Sequence, residues 1–278
     1  MVWGHHLLPG GPLPFCGGFS YREQGLQNPA TAQSSAPGGG LMGKGYLVTG
    51  TDTGVGKTVI TAALVGVWRR RGIDALAVKP VQSGAVMQDG QLIPEDAAFY
   101  RRAAGLSLPM DELNLYRFEP AVSPHLAAQL SGESIAPGRV VDFCRQALQK
   151  HHLTLVEGAG GLCVPLSGPE FTVAHLAGEL SLPLLVVARP GLGSINHTVL
   201  TVAYARNAGL AVAGIIINGQ KQEEAGPTEM NNPLVIEAMT GVRVLGIVPY
   251  LPAVSVEEGR TGGLLDAVEQ AVAWRELL

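Results

Sequence analysis

The chain has 278 residues, of which 46% are hydrophobic and 15% are charged, and its formal net charge at pH 7 is -4. This length is enough for one large α/β domain or two small ones. The mildly negative charge lacks the basic footprint that nucleic-acid-binding proteins carry, so any phosphates must be bound locally by backbone amides and a few lysines. No apolar run reaches about 18 residues, which predicts no transmembrane helix and no membrane partner.

The first 41 residues differ in composition from the rest of the chain. They contain nine glycines and five prolines but only two charged residues, Arg22 and Glu23. A segment of this kind buries too little apolar surface to offset its ordering entropy, which predicts a disordered extension over 1–41 and a folded domain over 42–278. The extension also lacks the basic and apolar regions of a signal peptide.

From residue 45 onward, short apolar runs alternate with amphipathic segments of helix length. The apolar runs lie at 46–49, 75–79, 153–157, 184–188, 212–218 and 242–248, and the candidate helices lie near 57–71, 96–104, 137–150, 172–180, 195–208, 231–240 and 263–276. Continuous Val, Ile and Leu runs are typical of strands buried on both faces. The alternation predicts a single α/β domain with a mostly parallel sheet and helices on both faces.

The first predicted strand leads directly into the sequence GTDTGVGKT at 50–58, and a predicted helix follows. Strand, glycine-rich loop and helix together favour a phosphate loop, because consecutive N–H groups and the helix N-terminus attract anions. Lys57 would reach the β- and γ-phosphates and the Thr58 hydroxyl would bind magnesium. The spacing departs from the common motif, because Thr51 stands where glycine is required. The alternative is a tight turn with an incidental lysine.

Three further polar residues follow or begin predicted elements near this loop. Lys79 ends the second strand and is a candidate second cation for a transferred phosphate or a carboxylate; alternatively it is a surface lysine. Asp96 opens a helix, where it is either a helix N-cap or a metal ligand. Glu157 ends a buried strand before several glycines, so a metal or lysine partner is expected for its carboxylate.

Two other segments offer weaker candidates. The run at 191–197 opens a helix whose free amides form a second potential anion site, although Ser194 or Asn196 would cap such a helix locally. Asn218 ends another strand and its amide is suited to reading a nucleobase. The segment 249–252 follows the last strand and would form a wall of that base pocket.

The three cysteines, Cys16, Cys144 and Cys163, are widely spaced and odd in number. They fit neither a disulfide framework nor a CxxC metal site. We therefore expect free buried thiols in a reducing compartment, which favours the cytoplasm.

Taken together, these segments resemble the dethiobiotin synthetase family, a group of phosphate-loop enzymes. The resemblance is carried by 50–58, 79–84, Asp96, 123–125, 156–161, 164–166, 193–197 and Asn218, in the family's order over residues 45–252. It covers about three quarters of the chain and excludes the first 41 residues. It implies closure of a cyclic urea from 7,8-diaminononanoate, CO2 and ATP, in a homodimer with its active sites at the subunit interface.

The resemblance also implies a role for each matching residue. The implied ATP-binding residues are Thr53, Gly54, Val55, Gly56, Lys57 and Thr58 at the phosphates and Asn218, Pro249 and Leu251 at the adenine; the implied Mg²⁺ ligands are Thr58, Asp96 and Glu157; the implied substrate-binding residues are Lys79 and Ser83 and, from a partner subunit, Gly193, Ser194 and Asn196. Lys57 and Lys79 are the implied catalytic residues. One departure concerns Gly54, where many members carry glutamate, so nucleotide affinity or base preference is expected to differ.

Two other functions share this type of loop. Amidoligases that resemble cobyrinic acid diamide synthases also activate carboxyl groups with ATP, but they usually carry a glutamine-hydrolysing domain with a nucleophilic cysteine. About 26 residues follow Pro252 and no cysteine follows Cys163, which argues against such a domain. Partition-type ATPase switches carry a signature lysine where this chain has Asp52, and an acidic side chain cannot replace a cation directed at phosphate.

Overall fold

The computed structural model describes residues 43–278, and all structural statements below concern this part of the chain. The disorder expected for 1–41 and the thiol of Cys16 lie outside the described residues. The strands are β1 (Lys44–Gly50), β2 (Ala75–Val78), β3 (Val81–Ser83), β4 (Val86–Gln88), β5 (Gln91–Ile93), β6 (Tyr116–Phe118), β7 (Leu153–Glu157), β8 (Leu184–Ala188), β9 (Val212–Gln220), β10 (Val244–Pro249), β11 (Val254–Ser255) and β12 (Arg260–Thr261). The α-helices are α1 (Lys57–Arg70), α2 (Glu95–Ala104), α3 (Met110–Leu113), α4 (Pro124–Leu130), α5 (Pro137–Lys150), α6 (Val173–Leu180), α7 (Ser194–Asn207), α8 (Pro227–Thr240) and α9 (Leu264–Ala271).

The core of the domain is a six-stranded sheet with the order β10-β9-β8-β1-β7-β2. Every pairing in it is parallel, which confirms the predicted α/β fold with a mostly parallel sheet. All five residues of β7 and all five of β8 are buried. Because successive side chains of a strand point to opposite faces, burial of consecutive residues means that both faces of the sheet are covered.

The six predicted strands are all present, but three small sheets were missed. They pair β3 with β6, β4 with β5, and β11 with β12. Each of these strands is two or three residues long, too short for an alternating pattern to stand out in the sequence. In the β4–β5 hairpin, Asp89 and Gly90 both have positive φ, as the tight turn between two such strands requires.

The predicted helix at 263–276 is wrong in its second half. Helix α9 ends at Ala271, Val272 forms an isolated bridge with Gly246, and a short 3-10 helix covers Trp274–Leu277. The chain end is then held at β1, where the Tyr46 hydroxyl donates to the Leu277 carbonyl at 3.1 Å. This tertiary anchoring overrides the continuous helical pattern of the sequence.

The cysteine expectation holds for one described thiol and fails for the other. Cys144 is buried within α5, whereas Cys163 is exposed in the loop after β7. The expectation of burial rested on the general preference of cysteine for the protein interior.

None of the described helices combines the length and the apolar character that a membrane span requires.

The sheet register brings the candidate residues to one edge. Val48 of β1 pairs with Glu157 of β7, and Val78 of β2 pairs with Val156. Lys79, directly after β2, therefore lies at the level of Glu157. Strand β1 lies between β7 and β8, so the loop that follows it opens at the carboxyl edge, where parallel sheets bind ligands.

Candidate active site

The phosphate loop has the strand–loop–helix geometry that the sequence predicts. It begins after β1, and α1 starts at Lys57 with Gly56 as its N-cap and no side-chain cap hydrogen bond. Gly54 and Gly56 have φ values of 75° and 90°, a left-handed region that favours glycine. The first N–H groups of α1 therefore remain available to an anion in the loop.

Lys57 is folded back over this loop. Its ammonium donates to the Asp52 carbonyl at 3.0 Å, and the side chain is almost fully buried. The Asp52 carboxylate accepts from the N–H of Thr53 at 2.7 Å, so it is engaged within the loop itself. The carbonyl of Asp52 therefore holds Lys57 near the loop. Asp52 does not provide the cation that the signature lysine of partition-type ATPases directs at phosphate.

A cluster of charged and hydroxyl groups lies beside the loop. The Lys79 ammonium lies 2.6 Å from a carboxylate oxygen of Asp96 and 2.6 Å from Oε1 of Glu157. Oε1 of Glu157 also accepts a hydrogen bond from the Thr58 hydroxyl at 2.9 Å. Lys79 and Glu157 are buried and Asp96 is partly exposed, so the lysine compensates one carboxylate that would be costly to bury alone and a second at the edge of the cluster.

For Asp96 and Lys79, the alternative interpretations of the sequence, a helix N-cap and a surface lysine, are both wrong. Asp96 is not a helix N-cap, because Pro94 precedes the first residue of α2 and no side chain caps that helix. Its carboxylate is drawn instead to Lys79. Lys79 is not a surface lysine, since 6% of its surface is exposed. In both cases the partner comes from a distant part of the chain.

Burial and neighbouring charges act differently on the two lysines. Burial, followed by the positive charge of Lys79, lowers the pKa of Lys57 to about 8. Burial also opposes protonation of Lys79, but the carboxylates of Asp96 and Glu157 outweigh it and raise its pKa above the ordinary lysine value. Lys79 therefore stays a fixed cation at neutral pH, whereas Lys57 titrates near the physiological range.

The loop and the charged cluster line one cleft of ≈ 470 Å³. Residues with a predicted role that line it are Thr53, Gly54, Gly56, Lys57, Thr58, Lys79, Ser83, Asp96 and Glu157. The structure thus brings together the residues predicted for phosphate, metal and part of the substrate. The cleft also includes Gln82, Glu95 and Glu257, which the sequence reasoning did not select.

The oxygen donors in this cleft fit a magnesium ion. Thr58, Asp96 and Glu157 offer one hydroxyl and two carboxylates, the hard ligands that Mg²⁺ prefers. No three His, Cys, Asp or Glu side chains within 43–278 lie close enough to hold a metal by themselves. Mg²⁺ commonly completes its shell with water and substrate phosphates, so this incomplete protein cage suits a metal that arrives with a nucleotide.

A second cleft of ≈ 360 Å³ adjoins the phosphate loop on the side of β9 and β10. It is lined by the predicted nucleotide-binding residues that the first cleft does not include, Val55, Asn218, Pro249 and Leu251, and also by Gly54 and Gly56. Asn218 donates through Nδ2 to the Val55 carbonyl at 3.0 Å, so one end of its amide secures the loop. Arg189 also lines this cleft; it follows β8 directly, a strand-end position that signals a site, but the sequence analysis did not select it.

The residues at the start of α7 lie elsewhere within the single chain. Gly193 and Asn196 line a separate groove of ≈ 450 Å³ between α7 and α8, together with apolar side chains such as Leu192 and Leu200. The structure does not bring them to Lys79 within one chain. The alternative of a local cap by Ser194 or Asn196 is wrong, because no side chain caps α7.

Tyr100 is a further residue of this cluster that was not predicted from the sequence. It is fully buried, and its hydroxyl donates to Oε2 of Glu157 at 2.5 Å. Burial and the negative charges of Glu157 and Asp96 raise the pKa of Tyr100 well above its ordinary value, so it remains a donor. The available signal was its position four residues after Asp96 on the same helix, which places both side chains on one face.

Comparisons with known proteins identify the relatives of this chain. A family model described as an AAA domain matches residues 44–258. The ATP-dependent dethiobiotin synthetase of Anoxybacillus flavithermus is 44% identical over 208 residues, which cover 75% of this chain and 92% of that protein. The ATP-dependent dethiobiotin synthetase of an Anaeromyxobacter species is 42% identical over 224 residues, which cover 81% of this chain and 98% of that protein.

Solved structures show a related fold at low sequence identity. A ParA family ATPase from Chlorobium tepidum has a TM-score of 0.52 at 16% identity, covering 84% of this chain and 96% of its own. The septum site-determining protein MinD from Pyrococcus horikoshii has a TM-score of 0.50 at 18% identity, covering 84% of this chain and 94% of its own. At such identities the likeness concerns the fold alone. The identity to the curated enzymes over most of their length shows that this chain belongs to the ATP-dependent dethiobiotin synthetase family.

Proposed function

We propose that this chain makes dethiobiotin from 7,8-diaminononanoate, CO2 and ATP in a Mg²⁺-dependent reaction that releases ADP and phosphate, as a step of biotin biosynthesis in the cytoplasm. The observation that carries the proposal is the buried cluster of Lys79, Asp96 and Glu157 beside Thr58 and the phosphate loop. It combines a fixed cation and oxygen ligands for a metal in the cleft where the γ-phosphate of ATP would lie. The family relationship supplies the substrate.

The reaction consists of three bond-forming steps. One amine of the diamine attacks CO2 and loses a proton, which gives a carbamate. A carbamate oxygen attacks the γ-phosphorus of ATP and displaces ADP, which gives a carbamic–phosphoric anhydride. The second amine attacks the carbonyl carbon of this anhydride, expels phosphate and loses a proton as the five-membered urea closes.

The side chains of the cleft bind, orient and neutralise charge during these steps. Lys57 and the loop amides hold the transferred phosphates, with nucleoside contacts from Asn218, Pro249 and Leu251. Lys79 and Ser83 face the reacting diamine and carbamate. Thr58, Asp96 and Glu157 would hold Mg²⁺, which would supply positive charge to neutralise the phosphates.

We also propose that the active site is completed by a second copy of this chain. The groove that holds Gly193 and Asn196 is also lined by the strongly exposed apolar residues Leu192, Leu200 and Met239. Helix α8 exposes two more, Met230 and Leu234. Exposed apolar patches of this kind commonly mark protein interfaces. In a two-fold dimer this patch meets its own copy, and the free amides at the start of α7 receive the substrate carboxylate of the partner.

The reaction is tested by incubating the protein with labelled bicarbonate, 7,8-diaminononanoate and MgATP. We expect acid-stable label in dethiobiotin only when both ATP and the diamine are present. Repeating the assay with other nucleotides measures the base preference, which Gly54 is expected to alter. Protein that is folded and binds nucleotide but forms no labelled product would refute the proposed reaction.

The shared active site is tested by mixing two variants expected to be inactive, Lys79→Ala and Asn196→Pro; the proline removes one free amide and the Asn196 side chain within the first turn of α7, where proline is tolerated. If the residues act across the interface, half of the subunits pair as heterodimers in which one of two sites is fully native, so activity returns to about a quarter of the wild-type level. If both residues act within one chain, every site keeps a defect and activity does not return. Size-exclusion chromatography with light scattering checks that the variants exchange subunits as dimers.

A further inference from the structure

Tyr100 contacts the proposed metal site from the protein interior. It lies in α2, one helical turn after Asp96, and none of its side chain is exposed. Its hydroxyl donates to Oε2 of Glu157 at 2.5 Å. Helix α2 therefore contributes to the cluster twice, with a carboxylate that pairs with Lys79 and with a phenol that binds the carboxylate of Glu157.

The two carboxylate oxygens of Glu157 have different surroundings. Oε1 accepts hydrogen bonds from Thr58 and Lys79, which both line the phosphate cleft. Oε2 accepts from Tyr100 on the buried side. With a donor on each oxygen, the plane of the carboxylate is fixed and Oε1 is turned toward the cleft.

Removing the phenol hydroxyl would leave Oε2 buried without this donor. Glu157 is itself 1% exposed, so water does not readily replace the lost hydrogen bond. A buried carboxylate oxygen that loses its donor is destabilised. The carboxylate would then rotate toward other donors, and Oε1 would lose its hydrogen bond from the Thr58 hydroxyl.

We propose that Tyr100 is a positioning residue that sets the Mg²⁺ affinity of the site by fixing the orientation of the Glu157 carboxylate. This inference rests on the proposed role of Glu157 as a metal ligand. Residues that orient a metal ligand from behind typically change metal affinity by about 10- to 100-fold when removed. Tyr100→Phe, which keeps the ring, is expected to weaken Mg²⁺ binding by about tenfold or more.

Tyr46 provides a matched control. It is also a buried tyrosine, and its hydroxyl donates to the carbonyl of Leu277. Tyr46→Phe therefore removes a buried phenol hydrogen bond from the same domain without touching Glu157. A loss of stability alone would affect both variants, whereas positioning of the metal ligand affects Tyr100→Phe only.

The experiment measures Mg²⁺ binding directly, by calorimetric titration of Mg²⁺ into the protein saturated with ADP, and ADP binding without metal. We expect Tyr100→Phe to raise the Mg²⁺ dissociation constant about tenfold or more while ADP binding without metal is unchanged. Tyr46→Phe should match the wild type in both titrations. Mg²⁺ affinity of Tyr100→Phe within about twofold of the wild type, or an equal loss in Tyr46→Phe, would overturn the proposal.

A double-mutant cycle shows whether Tyr100 acts through Glu157. Glu157→Gln should weaken Mg²⁺ binding, and adding Tyr100→Phe to it should cause little further loss, because coupled residues are not additive. Fully additive losses would contradict the proposed route, and wild-type affinity in Glu157→Gln would overturn it together with the metal role of Glu157. None of these titrations contains the diamine, so their outcome is independent of whether dethiobiotin forms.

Discussion

Lys79→Met removes the ammonium that compensates two carboxylates while keeping a side chain of similar length. Lys79 lies 2.6 Å from both Asp96 and Glu157, and Glu157 is 1% exposed. Breaking a buried ion pair by removing one partner typically costs about 3–5 kcal/mol. For a domain of this size each kcal/mol corresponds to about 2–4 °C, so we expect the melting temperature without metal to fall by about 6–20 °C.

The same variant should bind Mg²⁺ more tightly than the wild type and turn over more slowly. Without Lys79, Asp96 and Glu157 repel each other and no cation competes for their oxygens, so Mg²⁺ should restore much of the lost stability. Turnover should fall by about 100-fold or more, because a preorganised cation directed at developing charge contributes about 2.7–4 kcal/mol. Added Mg²⁺ should therefore rescue the stability of the variant but not its turnover.

The assay is thermal unfolding across a Mg²⁺ series, followed by steady-state kinetics on the same samples. Lys57→Met is the matched control, because Lys57 donates to a carbonyl rather than to a carboxylate and its burial disfavours its charge. We expect that control to be at least as stable as the wild type and equally inactive. If Lys79→Met melts like the wild type without metal, or if Mg²⁺ does not stabilise it further, the compensation argument is wrong.

Two further predictions concern the phosphate loop. Because the pKa of Lys57 is lowered to about 8, the free enzyme loses this charge above that pH, and kcat/KM for ATP should fall about tenfold per pH unit there; a profile that stays flat well above pH 8 would contradict this. Gly56→Ala should weaken nucleotide binding more than Gly54→Ala, because its Cβ would lie 2.0 Å from Nδ2 of Asn218 and displace it from the Val55 carbonyl, whereas Gly54→Ala has similar backbone strain but no atom within 4 Å. Titration with ADP compares the two variants, and equal affinities would show that strain rather than the clash is decisive.

The sequence was sufficient for the parts of this protein that local patterns encode. The buried strand runs, the glycine-rich loop after β1 and the helix starting at Lys57 are consecutive along the chain. Strand-end positions also identified Lys79 and Glu157, because parallel strands bring their carboxyl ends to one edge. Family resemblance then implied roles that no local pattern carries, such as substrate binding by Ser83.

Tertiary structure decided the pairings between distant segments. Lys79 and Glu157 are 78 residues apart and Tyr100 and Glu157 are 57 apart, so no periodicity relates them. Asp96 lies at a helix start and looks like a cap in the sequence, yet its carboxylate pairs with the buried ammonium of Lys79. Contacts formed by folding set which partner each charge has, and so only the folded chain shows how this cleft is organised.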